Sequence, residues 1–236
     1  MWNALLDLIY PPNIKCIICN RSLKIDDKYG FCEECYQDIR FIGEDCCDKC
    51  SKPFNKSVDM TICQDCIKQE HFFHRAVSAV EYYGKVKKLI FSFKYHDATY
   101  LTKYMGDMMI EVFQREELTA DIIMAVPIHS IRQRNRGYNQ AHLLAKYISK
   151  ELDIDYYKGY LIRVKNTEVL YNLTKYERKK IMGKAFEIGL NKDIRYKEIL
   201  LIDDIYTTGT TVDHCSKVLI EAGAKEVTVL TFARGI

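Results

Sequence analysis

LLIDDIYTTGTT, residues 200–211, is the stretch that decides the fold. EILLIDD (198–204) reads as a strand, and its run EILLI, with no polar alternation, as one covered on both faces. It ends in two adjacent carboxylates, Asp203 and Asp204. A short loop of Thr207, Thr208, Gly209, Thr210 and Thr211 follows, and helical spacing begins at once in TTVDHCSKVLIEAG. In open α/β sheets, ligands sit beyond the carboxyl ends of the strands. A Gly/Thr loop entering a helix presents backbone N–H groups, hydroxyls and the positive end of the helix dipole to one phosphate. Gly209 lets the backbone come close with no side chain in the way. Two carboxylates just ahead of that loop suit a pair of vicinal hydroxyls. The combination predicts a cradle for ribose 5-phosphate. The plainer alternative is a strand–helix turn with an N-cap and a solvated Asp pair.

Working outward, the same alternation of buried runs and helical spacing fills residues 76–236. AVSAVEYY (76–83), DIIMAVP (121–127), YLIRV (160–164) and EVTVLTF (226–232) read as further strands. Between them VKKLIFSFKYH, LTKYMGDMMIEVF and NQAHLLAKYISKEL have helical spacing. Strand, helix, strand in that order predicts a mostly parallel sheet wrapped by helices, an α/β domain. Cys215 falls on the apolar face of its helix and is expected in the core.

A second stretch carries charge. DIIMAVP is followed by His129, Arg132, Arg134, Arg136, Gly137, Tyr138, Asn139 and Gln140, a basic turn at a strand's end. A diphosphate needs several donors on one turn, and guanidinium forks suit phosphate oxygens. Three arginines at every second position would also repel one another without an anion. Taken as an extended loop, the turn aims Arg132 and Arg136 one way and Arg134 the other. A solvated basic loop is the alternative.

Nine of the ten cysteines lie within residues 16–66, and eight form CxxC pairs: Cys16/Cys19, Cys32/Cys35, Cys47/Cys50 and Cys63/Cys66. The second two pairs repeat the first two at an offset of 31 residues. Two thiolates on each of two tight turns close a tetrahedral shell, which suits structural zinc. A disulfide scaffold would need an export signal that the chain does not show. Two zinc ions are therefore expected. Joining 16/19 with 32/35 and 47/50 with 63/66 is the local pairing, and a cross-braced exchange would use the same eight ligands. Cys46 is expected to stay outside the shell because Cys47 keeps the two-residue gap to Cys50. His71 and His74 are expected to pack rather than ligate.

Charge and length bound the rest. With 35 basic and 32 acidic residues among 236, the net charge of +3 argues against a chain that coats nucleic acid. Residues 1–75 carry 10 basic and 12 acidic side chains, and two four-thiolate zinc centres would make that segment more negative still. Zinc there is expected to staple a segment too small to build its own core. No apolar run approaches the ~18–20 residues of a membrane span, so no span and a cytoplasmic location are expected. MWNALLDLIY, at the start, reads as a short amphipathic helix. The expected organisation is a double zinc-ribbon domain over 1–70 and an α/β domain over 71–236, with the boundary inside 67–76.

The strand, Asp-Asp and Thr/Gly loop together resemble the phosphoribosyl diphosphate (PRPP) motif of type I phosphoribosyltransferases. The order VP-x-H-x-x-R-x-R-x-R-G-Y-N-Q, then IDD-x-x-TTGTT, preceded by paired CxxC ribbons, closely resembles the ComF family. These are competence-associated proteins with an N-terminal double zinc ribbon and a phosphoribosyltransferase-like domain. The resemblance includes YYGKVKKLIFSFKYH (82–96), around Lys94, and T-E-V-L-x-x-L-x-x-x-x-R (167–178) with Gly183, Ala185 and Phe186. It departs at Leu170 and Ile181, where the family usually has Gln and Asn. Segment 166–184, with Thr167, Arg178, Lys179 and Lys180, stands where related transferases carry a mobile cover.

The resemblance implies a type I phosphoribosyltransferase-like sheet and a Mg-dependent pentosyl transfer. PRPP would bind with its 5-phosphate on Thr207–Thr211 and its ribose hydroxyls on Asp203 and Asp204. Magnesium would bridge the diphosphate and ribose oxygens. Arg132 and Arg136, joined by Lys94, would neutralise the departing diphosphate. It also implies a part in DNA uptake, with single-stranded DNA and competence proteins as partners. Two alternatives stand beside the transferase. One is a sensor that binds PRPP without transferring anything. The other is a single-stranded nucleic-acid adaptor using Lys85, Lys87, Lys88 and Lys94 with Lys175, Arg178, Lys179 and Lys180, interleaved by Tyr82, Tyr83, Phe91, Phe93 and Tyr95. Against that adaptor, Leu89, Ile90 and Phe93 read as the apolar stripe of an ordinary helix.

Overall fold

The computed structural model describes residues 14–54, 60–165, 185–189 and 192–235. The N-terminal helix expected in 1–10 and the cover expected over 166–184 lie outside them. Two short helices in the cysteine-rich segment, α1 (Glu33–Gln37) and α2 (Gln64–Lys68), begin directly after Cys32 and Cys63. Each thus carries the second thiol of its CxxC pair. Downstream come β1 (Arg75–Glu81), α3 (Gly84–Tyr95), α4 (Leu101–Arg115), β2 (Ile122–Ala125), α5 (Ser130–Arg136) and α6 (Gln140–Leu152). The order continues with β3 (Asp155–Tyr156), β4 (Leu161–Arg163), β5 (Phe186–Ile188), β6 (Glu198–Tyr206), α7 (Thr210–Glu221) and β7 (Glu226–Arg234).

β1, β7, β6, β2 and β3 form one five-stranded sheet in that order, and every neighbouring pair is parallel. Alternation along β6 sends Leu200 and Ile202 to one face and Ile199 and Leu201 to the other. β2 and β7 do the same, with Ile123 and Phe232 opposite Met124 and Val229. Both faces are therefore covered, as the unbroken apolar runs require. Phe93 of α3, Met105 and Met109 of α4 and Leu144 of α6 fill the first face. Val212, Cys215 and Leu219 of α7 fill the second. Cys215 is fully buried, as expected, and burial pushes its thiol well above the ordinary range.

The zinc-ribbon segment divides between those faces. Cys16, Cys32 and Cys35 pack in the first core with Phe31 and Ile39, and Cys47, Cys50 and Cys63 in the second with Phe73. The chain between the two groups crosses the sheet edge, where Ile42 donates its N–H to the Ala79 carbonyl and Phe41 bridges Val80. Small ribbons gain in this way a hydrophobic backing that they are too short to supply themselves.

Three local expectations need correction. β6 does not end at the carboxylates but runs on to Tyr206, because β7 keeps pairing with it through Ile205↔Ala233 and Tyr206↔Arg234. YLIRV is not part of the parallel sheet; its Leu161–Arg163 pairs antiparallel with Phe186–Ile188 in a separate two-stranded ribbon. The basic stretch after β2 is a helix, capped by the His129 ring, which accepts from the Ile131 N–H. Helical spacing still separates the arginines: positions four apart share a face and positions two apart do not. Arg132 and Arg136 are accordingly partly buried and Arg134 exposed.

Candidate functional site

The Thr/Gly loop spans Thr207 to the first turn of α7. Gly209 is the N-cap in a left-handed conformation, φ +75°, and has no side chain to cap the helix; the Thr208 hydroxyl accepts the Thr210 N–H at 3.5 Å. A methyl group at this position would collide with the Tyr206 hydroxyl, so glycine is required by backbone and space together. Thr207 and Thr208 are exposed, and the Thr208 and Thr210 hydroxyls lie 2.9 Å apart. Asp213 stands in the same first turn, but its carboxylate accepts the Phe72 N–H at 2.7 Å. The described loop thus presents hydroxyls and a helix N-terminus whose N-cap residue has no side chain, a geometry suited to a phosphate.

The two carboxylates differ in surroundings. Asp204 is buried, and its carboxylate lies 2.8 Å from the Lys94 ammonium at the end of α3. Asp203 is half-buried and accepts the Asp204 backbone N–H at 2.9 Å. Burial, and then the neighbouring Asp204 carboxylate, push Asp203 up to about 8 against the pull of Lys94.

α3 also holds the basic helix. Arg136 donates to the Tyr95 hydroxyl at 3.1 Å and to the Gln140 side-chain oxygen at 3.4 Å, with its guanidinium 5.0 Å from the Tyr95 ring centre. The Phe93 carbonyl accepts from the Tyr138 hydroxyl at 2.8 Å and the Gln140 amide at 3.2 Å. Three consecutive residues, Phe93, Lys94 and Tyr95, therefore tie Asp204 to Arg136 and to the Tyr138–Gln140 segment that follows it. Arg132 sits one turn before Arg136 on the same helix. Beside α5 a cavity of about 330 Å³ opens beyond β2, with Pro127, Asn139, His142, Lys158 and Arg163 in its wall.

The eight CxxC cysteines gather as Cys16, Cys19, Cys32 and Cys35 and as Cys47, Cys50, Cys63 and Cys66, the local pairing. Cys19 and Cys32 have sulfurs 3.6 Å apart, and Cys50 and Cys63 3.7 Å. A tetrahedron with Zn–S bonds of ~2.3 Å has edges of roughly 3.8 Å, so the donor sets fit zinc. Cys46 lies outside both groups. His71 is also outside both groups; it stacks on Phe73 at 4.6 Å and faces Asp213 at 3.4 Å.

Each group meets one cation from the α/β domain. Lys85 donates to Cys35 Sγ at 3.4 Å while pairing with Asp38, and Arg234 donates to Cys50 Sγ at 3.6 Å. Sequence reasoning passes over Arg234 and Tyr206, and it reads Tyr95 as a stacking ring rather than as a partner of Arg136. The one signal for Arg234 is a charged residue ending an otherwise apolar strand.

Comparisons with known proteins run the length of the chain. Residues 5–67 match the family model of the double zinc ribbon domain. The chain is 29% identical over 228 residues to Competence protein F of Haemophilus influenzae, covering 94% of this chain and 97% of that one. It is 28% identical to Competence protein ComFC of Streptococcus pneumoniae, over 94% of this chain and all of that one. It is 25% identical to DNA utilization protein YhgH of Escherichia coli, over 93% and 96%. These matches bear out the resemblance to the ComF family. Among solved structures, the chain is similar to the glutamine PRPP amidotransferase of B. subtilis, with 18% identity, a TM-score of 0.42 and coverage of 58% of this chain and 29% of that one. It is also similar to adenine phosphoribosyltransferase from Thermoanaerobacter pseudethanolicus, with 12% identity, a TM-score of 0.39 and coverage of 59% and 83%. The α/β class itself stands on the sheet order and register.

Proposed function

We propose that this ComF-type chain binds PRPP with magnesium at the tip of β6 and acts in DNA uptake, the setting that the names of its competence relatives suggest. The observation that carries the reading is the Lys94–Asp204 pair at 2.8 Å, just ahead of a threonine loop that enters α7 through Gly209. The 5-phosphate would sit on Thr207–Thr211, where N–H groups and hydroxyls face a negative charge. Asp203 and Asp204 would accept from the ribose hydroxyls. Lys94 then has two tasks, neutralising Asp204 and adding positive charge near the diphosphate. Arg132 and Arg136, on one face of α5, would take the diphosphate oxygens as the C1–O bond lengthens. Two carboxylates, one of them held by Lys94, are a donor set that suits a hard cation such as magnesium, which when bound would spread the diphosphate's charge. Among the described residues no nucleophile–base pair stands beside the loop, so rate enhancement would be electrostatic.

Calorimetric titration of PRPP with magnesium tests this. Binding by the wild type that disappears in Asp203→Asn/Asp204→Asn is expected. An unaltered titration in that double variant would move the ligand elsewhere. Turnover with an acceptor separates a transferase from a PRPP sensor.

A second activity, binding of single-stranded DNA, is favoured by a specific surface. Phe91 and Tyr95 are about half exposed on the outer side of α3, their ring centres 5.0 Å apart, and Lys87 and Lys88 stand one to two turns earlier. Exposed, paired rings beside lysines and Arg136 offer stacking and phosphate contacts together. Phe93 cannot contribute, being fully buried, and Lys85 is engaged by Asp38 and Cys35. The second basic cluster, Lys175 to Lys180, lies outside the described residues.

A further inference from the structure

We propose that Arg234 is a positioning residue through which the second zinc centre sets the shape of the phosphate loop. Arg234 ends β7, is 5% exposed, and reaches across 184 residues of sequence to the ribbon. One edge of its guanidinium faces the metal site: Nε donates to the Cys50 carbonyl at 3.0 Å and Nη2 to Cys50 Sγ at 3.6 Å. The other edge faces the loop: Nη1 donates to the Thr207 carbonyl at 2.9 Å and also to the Gly235 carbonyl. A planar fork can serve both sides at once in a fixed geometry, which a single ammonium cannot.

The contact reaches both ends of the loop's first half. Holding the Thr207 carbonyl against a buried guanidinium keeps an acceptor oxygen away from an incoming anion. The same guanidinium lies 4.4 Å from the centre of the Tyr206 ring, whose hydroxyl occupies the space a side chain on Gly209 would take. Tyr206 is itself pinned, since its carbonyl accepts the Gly235 N–H at 2.7 Å. Thr207 and Gly209 thus take their positions from Arg234 and Tyr206. The backbone of Arg234 is set by β7 pairing with β6, and its side chain meets Cys50, which a bound zinc would tie to Cys47, Cys63 and Cys66. The ribbon therefore does more than cap a sheet face. Its metal is the far anchor of the loop.

This inference rests on reading 207–211 as the 5-phosphate cradle, but its structural half can be tested without ligand. The test is Arg234→Lys in the full, zinc-loaded chain, with zinc content, amide hydrogen exchange over 207–211 and PRPP–magnesium affinity measured in parallel. Zinc should stay at two per chain, and β6 and β7 amides should keep wild-type protection. The loop amides should exchange faster and PRPP affinity should fall roughly tenfold or more, the scale of a lost charge-assisted hydrogen bond. Cys66→Ser, which opens the second centre, should speed loop exchange alike and add little to Arg234→Lys. Wild-type exchange over 207–211 in Arg234→Lys overturns the relay, as does full additivity of the two changes. If Cys66→Ser fails to fold, Arg234→Lys decides alone. If the wild type does not bind PRPP, the cradle reading fails, while loop exchange still decides for or against the relay.

Discussion

The Lys94 ammonium sits 2.8 Å from the Asp204 carboxylate, on side chains only 19% and 8% exposed. A pair this dry is costly to assemble and costlier to break, because whichever partner remains is a buried charge without compensation. Its location explains why the chain bears that cost. Lys94 lies in the last turn of α3; after it the Tyr95 hydroxyl meets Arg136, and before it the Phe93 carbonyl meets Tyr138 and Gln140, just beyond the Arg136 helix. One helix end thereby links Asp204 to Arg136.

Lys94→Met is therefore expected to lower stability by about 2 kcal/mol or more at neutral pH. Adding Asp204→Asn should recover much of that loss. Chemical denaturation of the single and double variants measures the coupling. Additive losses would mean that the pair is not formed in solution.

Asp203 gives a pH dependence. Its folded-state value of about 8 exceeds the unfolded value of about 4, so between these limits the folded chain holds a proton that the unfolded chain has released. The stability tied to that proton is full below about pH 4 and is lost as the pH rises toward 8. Asp203→Asn should then be more stable than wild type at about pH 7–8 by the order of 1–3 kcal/mol, with the difference closing near pH 4. Melting curves across that range read the sign directly.

The strand–loop–helix order around the carboxylates was legible because its parts are contiguous: strand, carboxylates, loop and helix fall within 200–211, and local order alone brings them together. The zinc groups were legible through their spacing and the repeat at 31 residues. What escaped depended on distant partners. Strand β6 passes its carboxylates because of what β7 offers it, and β7 lies a whole helix further along the chain. The helix at 130–136 was hidden because its arginines carry no apolar period; its last residue, Arg136, is held from outside by Tyr95. Arg234 was invisible for the same reason, since its partners Cys50 and Thr207 meet it only in the folded chain. Lys94 was found by family resemblance, with nothing in its local sequence to mark it.

Metal content should be two zinc ions per chain. Cys46 lies outside both donor groups, and burial pushes its thiol up to about 11, so it is a poor competitor for metal. Cys46→Ala should keep both ions, whereas Cys47→Ala should lose one. Elemental analysis distinguishes these, and one zinc in Cys46→Ala would place Cys46 in the shell.

On the proposed reading, Arg136 would separate diphosphate from 5-phosphate recognition. Arg136→Ala should weaken PRPP binding by roughly tenfold to a hundredfold, the range for a lost hydrogen bond to a charged group. Ribose 5-phosphate, which lacks the diphosphate, should bind as before. Parallel titrations of the two ligands decide this. Equal losses for both would mean that Arg136 shapes the whole site instead of meeting the leaving group. Tyr95→Phe should give a smaller loss of PRPP affinity, because it removes the hydroxyl that holds Arg136 and keeps the ring.

Tyr95 also joins the two proposed activities, since its ring faces Phe91 and Arg136 at once. If single strands stack on this surface, Phe91→Ala should cost about 1–3 kcal/mol of affinity for an oligothymidylate and leave PRPP binding intact. Lys87→Glu/Lys88→Glu should weaken the same complex and flatten its dependence on salt, since fewer counterions are released. Fluorescence anisotropy over a salt series measures both. A salt slope unchanged by the double charge reversal would exclude these lysines from the strand's path. Unchanged affinity in Phe91→Ala would leave the exposed rings without a part in DNA binding. Competition sharpens the test: because Arg136 is shared, saturating PRPP with magnesium should alter strand affinity in the wild type and have little effect in Arg136→Ala.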